Sequence, residues 1–251
     1  MCQTFRGLSA LALCIALLPA GAGARAKSNV PDFTGRWAAY RAGRGAPDPQ
    51  VAPTPPAPLV LNPQYAGPYE ARRAAEAESD RRGEPLATPG TACLPSGMPV
   101  MMGAIYPMEF LLTPGQITII AEAYSEVRRI YLDEPQGKIG EVEPGYYGHS
   151  VGHWQGDTLI IDTIGIKESV RGYRGMPHSG EMRIAERIRL VAPDVLHDQI
   201  TIEDPVVLDK PVTYTQAYRR MPNYKMQEYV CENNREYIDE KGVTRIKIGD
   251  R

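Results

Sequence analysis

The chain has 251 residues, a net charge of −2 and 43% apolar residues. That length supports one domain with a real core, and neither the charge balance nor any long basic run suits a nucleic-acid partner. With 24 glycines and 23 prolines, strands joined by many turns are expected rather than long helices.

Residues 1–26 read as an export signal. Arg6 supplies a basic start, Leu8 to Leu18 is an apolar run too short to span a bilayer, and Ala22-Gly23-Ala24 and Ala24-Arg25-Ala26 are both small-x-small cleavage sites. Leu11-Ala12-Leu13-Cys14 offers a lipoprotein alternative, against which Leu13 stands where a small residue belongs. No other segment reads as a membrane span, so a periplasmic or secreted protein is expected. The mature chain would keep Cys93 and Cys231, an even pair that suggests a disulfide in an oxidising compartment, with two separate buried thiols as the alternative.

Residues 27–106 carry a first strand at Gly35-Arg36-Trp37, a proline- and alanine-rich arm over 45–68, and one short charged helix over 68–82, with Pro68 in its first turn and Gly83 after it. Residues 107–240 show period-2 alternation. "MEFLLT", "QITIIAEAY", "VRRIYLD", "SVGHWQ", "DTLIIDTI", "EMRIAERIRLV", "VLHDQITIED", "PVTYTQAYRR" and "KMQEYVCEN" follow one another without crossover helices. The expected fold is all-β: an antiparallel meander closed into a lipocalin-like barrel, which removes its edges. Two connections, 134–148 and 165–180, are long enough to cover a site.

Gly148-His149-Ser150-Val151-Gly152 matches the G-x-S-x-G of a serine-hydrolase elbow. An elbow needs a strand, a sharp turn and a helix, whereas Gly156-Asp157 here reads as a hairpin turn between two strands. Ser150 therefore belongs inside a strand and is not expected to be a nucleophile. In that hairpin Trp154 faces Leu159 and Gly152 faces Ile161. His149 opposes Ile164 and lies diagonal to Asp162, a base with an orienting carboxylate or simply a surface pair.

Two further hairpins each place one charge on an aliphatic face. A turn at Ala192-Pro193-Asp194 sets Val191 against Val195, Arg189 against His197 and Arg183 against Glu203, leaving Glu186 and Asp198 among Met182, Ile184, Ile188, Leu196 and Ile200. A turn at Ser125-Glu126 sets Glu122 against Arg129 and leaves Arg128 among Ile117, Ile119 and Ile130. Buried alone, each charge would be costly, so Arg128 and Glu186 are expected to share the interior, touching or bridged by a ligand.

His178, at the end of the second long loop, is expected at the mouth of a cavity. The proposed catalytic set is His149, His178, Glu186 and Asp162, with Arg128, Trp154, Tyr147 and Asp198 toward a ligand. His149, His153 and His178 match no closed metal motif, and no phosphate loop or dinucleotide fingerprint is present; no metal or cofactor is expected. The resulting reading is a barrel holding an apolar small molecule, as an isomerase, lyase, hydratase or cyclase using acid-base residues. A carrier without chemistry and a purely structural protein are the alternatives.

Several stretches together resemble a family of exported bacterial proteins: Cys93-Leu94-Pro95-Ser96-Gly97-Met98-Pro99, the strand with Arg128, Ile130, Tyr131 and Asp133, the run Gly148 to Thr163, His178-Ser179, Glu186-Arg187, Glu203-Asp204-Pro205 and Cys231-Glu232-Asn233. The likeness spans about 30–235 and implies an exported β-rich fold, without an activity. The chain departs from the pattern at Glu134-Pro135 and at Gly180. Separately, Gly35-x-Trp37 beside a meander resembles a lipocalin-type barrel.

Overall fold

A computed structural model describes residues 30–40, 53, 56–84, 86–231 and 236–246. The export signal, Cys14 and part of the proline-rich arm lie outside the described residues. Nine strands close into a barrel: β1 (Gly35–Ala39), β2 (Met108–Thr113), β3 (Gln116–Ala121), β4 (Glu126–Leu132), β5 (His149–Gln155), β6 (Thr158–Ile164), β7 (Arg183–Ala192), β8 (Val195–Glu203) and β9 (Val212–Arg220). β1 completes the ring by pairing with both β2 and β9. Two short strands, β10 (Glu236–Ile238) and β11 (Thr244–Ile246), form a separate ribbon that the sequence did not suggest.

The barrel is all-β, but not a pure meander. β4 and β5 run parallel, with Ile130 beside Ser150 and Leu132 beside Gly152. A parallel neighbour cannot be reached by a tight turn, and segment 133–148 is the crossover that makes the pairing possible. "KMQEYVCEN" is not a strand over its described part, 225–231. With β9 already paired to β1, the ring has no free edge for it. It runs instead across the outside, where Tyr224 and Gln227 both donate to the Glu122 carboxylate.

The helix α1 (Pro63–Arg81) starts earlier than expected, with Pro63 rather than Pro68 in its first turn. Asn62 just before it donates its side-chain amide to the Val206 carbonyl. α1 is polar on nearly all sides and buries only Ser79. It braces the 165–180 loop, through Tyr69 Oη to the Arg174 carbonyl, Arg72 to the Gly175 carbonyl, and an Arg171–Glu76 ion pair.

The strand directions separate two ends. Tight turns join β2 to β3, β5 to β6 and β7 to β8 at one end. There Trp37 is sealed beneath the Arg220 guanidinium, 4.2 Å from its ring centre. Arg220 also donates to the carbonyls of Thr34 and Asp32. The long connections, 40–107, 165–182 and 204–211, all gather at the other end, together with the turn 122–125 and the return of the crossover. Met98, Met101 and Met102 plug that mouth, and Tyr218 Oη, from inside the barrel, donates to the Met102 carbonyl at 2.7 Å.

Candidate functional site

The β5–β6 register is the expected one, from Gln155 opposite Thr158 to His149 opposite Ile164. The β7–β8 register also holds from Arg183–Glu203 to Arg189–His197, then a bulge puts Ala192 rather than Val191 opposite Val195. β3–β4 differs. Arg129 sits opposite Thr118, not Glu122, because residues 122–125 form a longer turn. The slip is by an even number of residues, so it leaves the two faces unchanged. Arg128 remains inside.

There Arg128 and Glu186, both 0% exposed, form a bidentate pair: Nη1 donates to Oε1 at 2.8 Å and Nη2 to Oε2. Arg128 also donates to Ser150 Oγ, from Nε at 3.3 Å and Nη2 at 3.1 Å, and to Thr163 Oγ1 at 3.0 Å. The two hydroxyls bond each other at 2.8 Å. Burial works against the guanidinium charge and Glu186 more than offsets it. Ser150, the second residue of β5, is thus committed to Arg128 and Thr163. The glycines around it are steric: Gly148 has φ +64°, and a Cβ there would lie 2.4 Å from the Ile164 carbonyl.

Asp198 lies on the same interior face, diagonal to Glu186, with neither carboxyl oxygen hydrogen-bonded. Burial, then the Glu186 charge, push its pKa well above the ordinary carboxylate range. Its neutral form is thereby favoured, beside the paired charges of Arg128 and Glu186. Keeping that proton costs stability increasingly as pH rises from the unfolded-state pKa toward the folded one, by about 1.4 kcal/mol per pH unit. Asp198→Asn is expected to gain stability relative to wild type as pH rises above the ordinary aspartate value of 3.8. Urea unfolding of both proteins across the range measures it, and parallel profiles would contradict a protonated Asp198.

The other expected site residues do not join this group. His149 points outward and stacks on Tyr131, ring centres 5.5 Å apart. Asp162 is also on the outer wall, but it pairs with Arg183, whose Nη2 donates to Oδ2 at 2.8 Å, and not with His149. A neighbouring guanidinium satisfies both carboxylate oxygens, which an imidazole cannot. The same contact replaces the expected Arg183–Glu203 ion pair. His178 is 6% exposed, its Nδ1 against the Ser179 carbonyl and its Nε2 without a partner. Trp154 packs on Phe33 at the tight-turn end, 5.1 Å between ring centres, far along the barrel from the long loops. Among the described residues, no three His, Cys, Asp or Glu side chains gather to hold a metal.

What the sequence did not reveal is a cleft of about 440 Å³ at the loop end, outside the methionine plug. Leu94, Val100, Ile105, Tyr146 and Val170 line it, with Arg171 and Arg174 at one side. Ile105 is 74% exposed, an isoleucine left in water at the rim. A second hollow of about 510 Å³, between the crossover and the 165–180 loop, is instead ringed by Glu141, Glu143, Glu168 and Glu181 around Lys167. Among the described non-glycine residues with left-handed backbone, Tyr124 and Arg174 line the cleft, Ala104 lines the adjoining recess, and Cys93 and Ser125 stand next to lining residues in sequence. Such strain persists only where surrounding structure enforces it, and it concentrates at functional sites.

The Cys93–Cys231 disulfide fixes one flank of the cleft, bridging residues 138 apart in sequence. Beneath the rim a recess of about 20 Å³ shares Ser96, Val100 and Ile105 with the cleft and is lined at its inner side by Glu126. Glu126 is 3% exposed. Its Oε1 accepts the Ser96 backbone N–H, and its Oε2 has no partner. Burial raises its pKa, opposed in part by the backbone N–H groups of Ser96 and Gly97. Tyr147 stands close by, its pKa raised by burial and then by the Glu126 charge. A turn at Ser125-Glu126 would leave Glu126 outside the strand; its alternation with Arg128 and Ile130 is the signal in the sequence that places it in β4. No family model matches the chain, and no curated protein shows significant similarity to it.

Proposed function

We propose that the protein is exported and binds a small, mainly apolar molecule in the loop-end cleft, with the barrel serving as a rigid frame. The observation that carries this reading is the cleft itself: apolar side chains left open to water, with strained backbone at Tyr124 and Arg174, and braced by a disulfide and by α1. Apolar surface of this kind usually marks a binding site. The interior is occupied by side chains, so the ligand site lies at the mouth rather than within the ring. Reaching Arg128, Glu186 or Asp198 would require displacing the methionine plug. Arg174 lies over the Tyr173 ring, 5.4 Å from its centre, and makes no ion pair among the described residues. It suits an anionic group on the ligand. No described helix is long and apolar enough to cross a membrane.

The probe 8-anilinonaphthalene-1-sulfonate combines an apolar body with an anion. Its fluorescence should rise on the mature protein. Ile105→Asp, at an exposed position, should weaken binding roughly tenfold or more by placing a charge in the apolar wall, with the unfolding midpoint unchanged. Equal binding to both proteins would remove the cleft from consideration.

A further inference from the structure

We propose that Glu126 is a catalytic residue that accepts a proton from a ligand held in this cleft, the substrate class being an apolar carbon acid, a molecule whose C–H is acidified by an adjoining carbonyl or heteroaromatic group. The proposal rests on the cleft reading. The recess has room for about one water-sized group, Glu126 lines it, and one oxygen of its buried carboxylate has no bond partner. The other oxygen is held by the Ser96 N–H, which fixes the carboxylate in place. Two consecutive left-handed residues, Tyr124 at φ 55° and Ser125 at φ 50°, set the backbone that delivers it.

No lysine, arginine or histidine lies in the stretch 94–104 over the recess. The ionisable group that faces Glu126 is Tyr147, which keeps its proton. Glu122, at the end of β3, is engaged by Tyr224 and Gln227. Among the described residues Glu126 makes no ion pair, and burial makes its carboxylate a stronger base than one in water.

The test uses 5-nitrobenzisoxazole, a flat apolar carbon acid that needs only a base. The carboxylate takes the C3 proton, the N–O bond breaks as the nitrile forms, and the electron pair leaves on the phenolate oxygen, followed by absorbance. The mature protein should exceed an equal concentration of acetate by roughly 100-fold or more. The rate should rise with pH, with its midpoint above the ordinary glutamate value of 4.5. Glu126→Gln should fall to background while still binding the anilinonaphthalene probe. Glu126→Asp, which keeps the charge but withdraws it by one methylene, should lose most of the excess rate. Probe binding with equal rates in wild type and Glu126→Gln overturns the proposal and spares the cleft. Absence of probe binding to wild type removes both.

Discussion

Arg128→Met is expected to destabilise the protein by about 3–5 kcal/mol, because it leaves the Glu186 carboxylate buried without its partner. Glu186→Leu should cost a similar amount from the opposite side. The double variant Arg128→Met/Glu186→Leu should recover most of the loss, since apolar side chains of similar volume often replace a buried ion pair at little cost. Ser150 and Thr163 retain each other's hydroxyl in that variant. Urea unfolding of the four proteins closes the cycle. Losses that simply add would mean that the two side chains act independently, contrary to their bidentate contact.

Removing the disulfide with Cys93→Ala/Cys231→Ala should cost about 5 kcal/mol, the loop-closure value for a bridge spanning 138 residues. The effect on the cleft should be larger than the effect on the barrel. Cys93 begins the strap that carries Leu94, Ser96 and Val100, and the outer segment that ends in Cys231 also holds Tyr229 against Tyr124, 5.0 Å between ring centres. Hydrogen exchange should show residues 93–106 and 221–231 losing protection while β7 and β8 keep theirs. Uniform loss across the barrel would show that the bridge supports the whole fold rather than the cleft.

Strand alternation made the barrel and its polar interior legible. "EMRIAERIRLV" and "VLHDQITIED" allow one register that sorts both faces, and it put Glu186 and Asp198 inside. The β3–β4 turn was misjudged, yet Arg128 stayed inside because an even slip preserves the faces. The parallel β4–β5 pair was not legible, since alternation along a strand carries no direction of pairing. The cleft was hidden for a different reason. Its walls come from 88–105, 124, 146 and 169–175, which lack periodicity and meet only when the loops are folded. His149 and Asp162 showed the reverse error: correct spacing across a hairpin, but on the wall facing water, where Arg183 claimed the carboxylate.

The ring closes by joining Gly35–Ala39 to Val212–Arg220. β1 therefore has no partner on one side until β9, the last strand of the barrel, has been made, and none on the other until Met108. A chain delivered from its N-terminus must hold its first strand open across nearly its whole length. Such closure is long-range in sequence and slow compared with hairpin formation. Until residue 220 arrives, both edges of the incomplete sheet are open to pairing with other chains. Truncation before β9 should thus yield an aggregating product rather than a smaller barrel, and the final strand acts as the latch that makes the molecule monomer-safe.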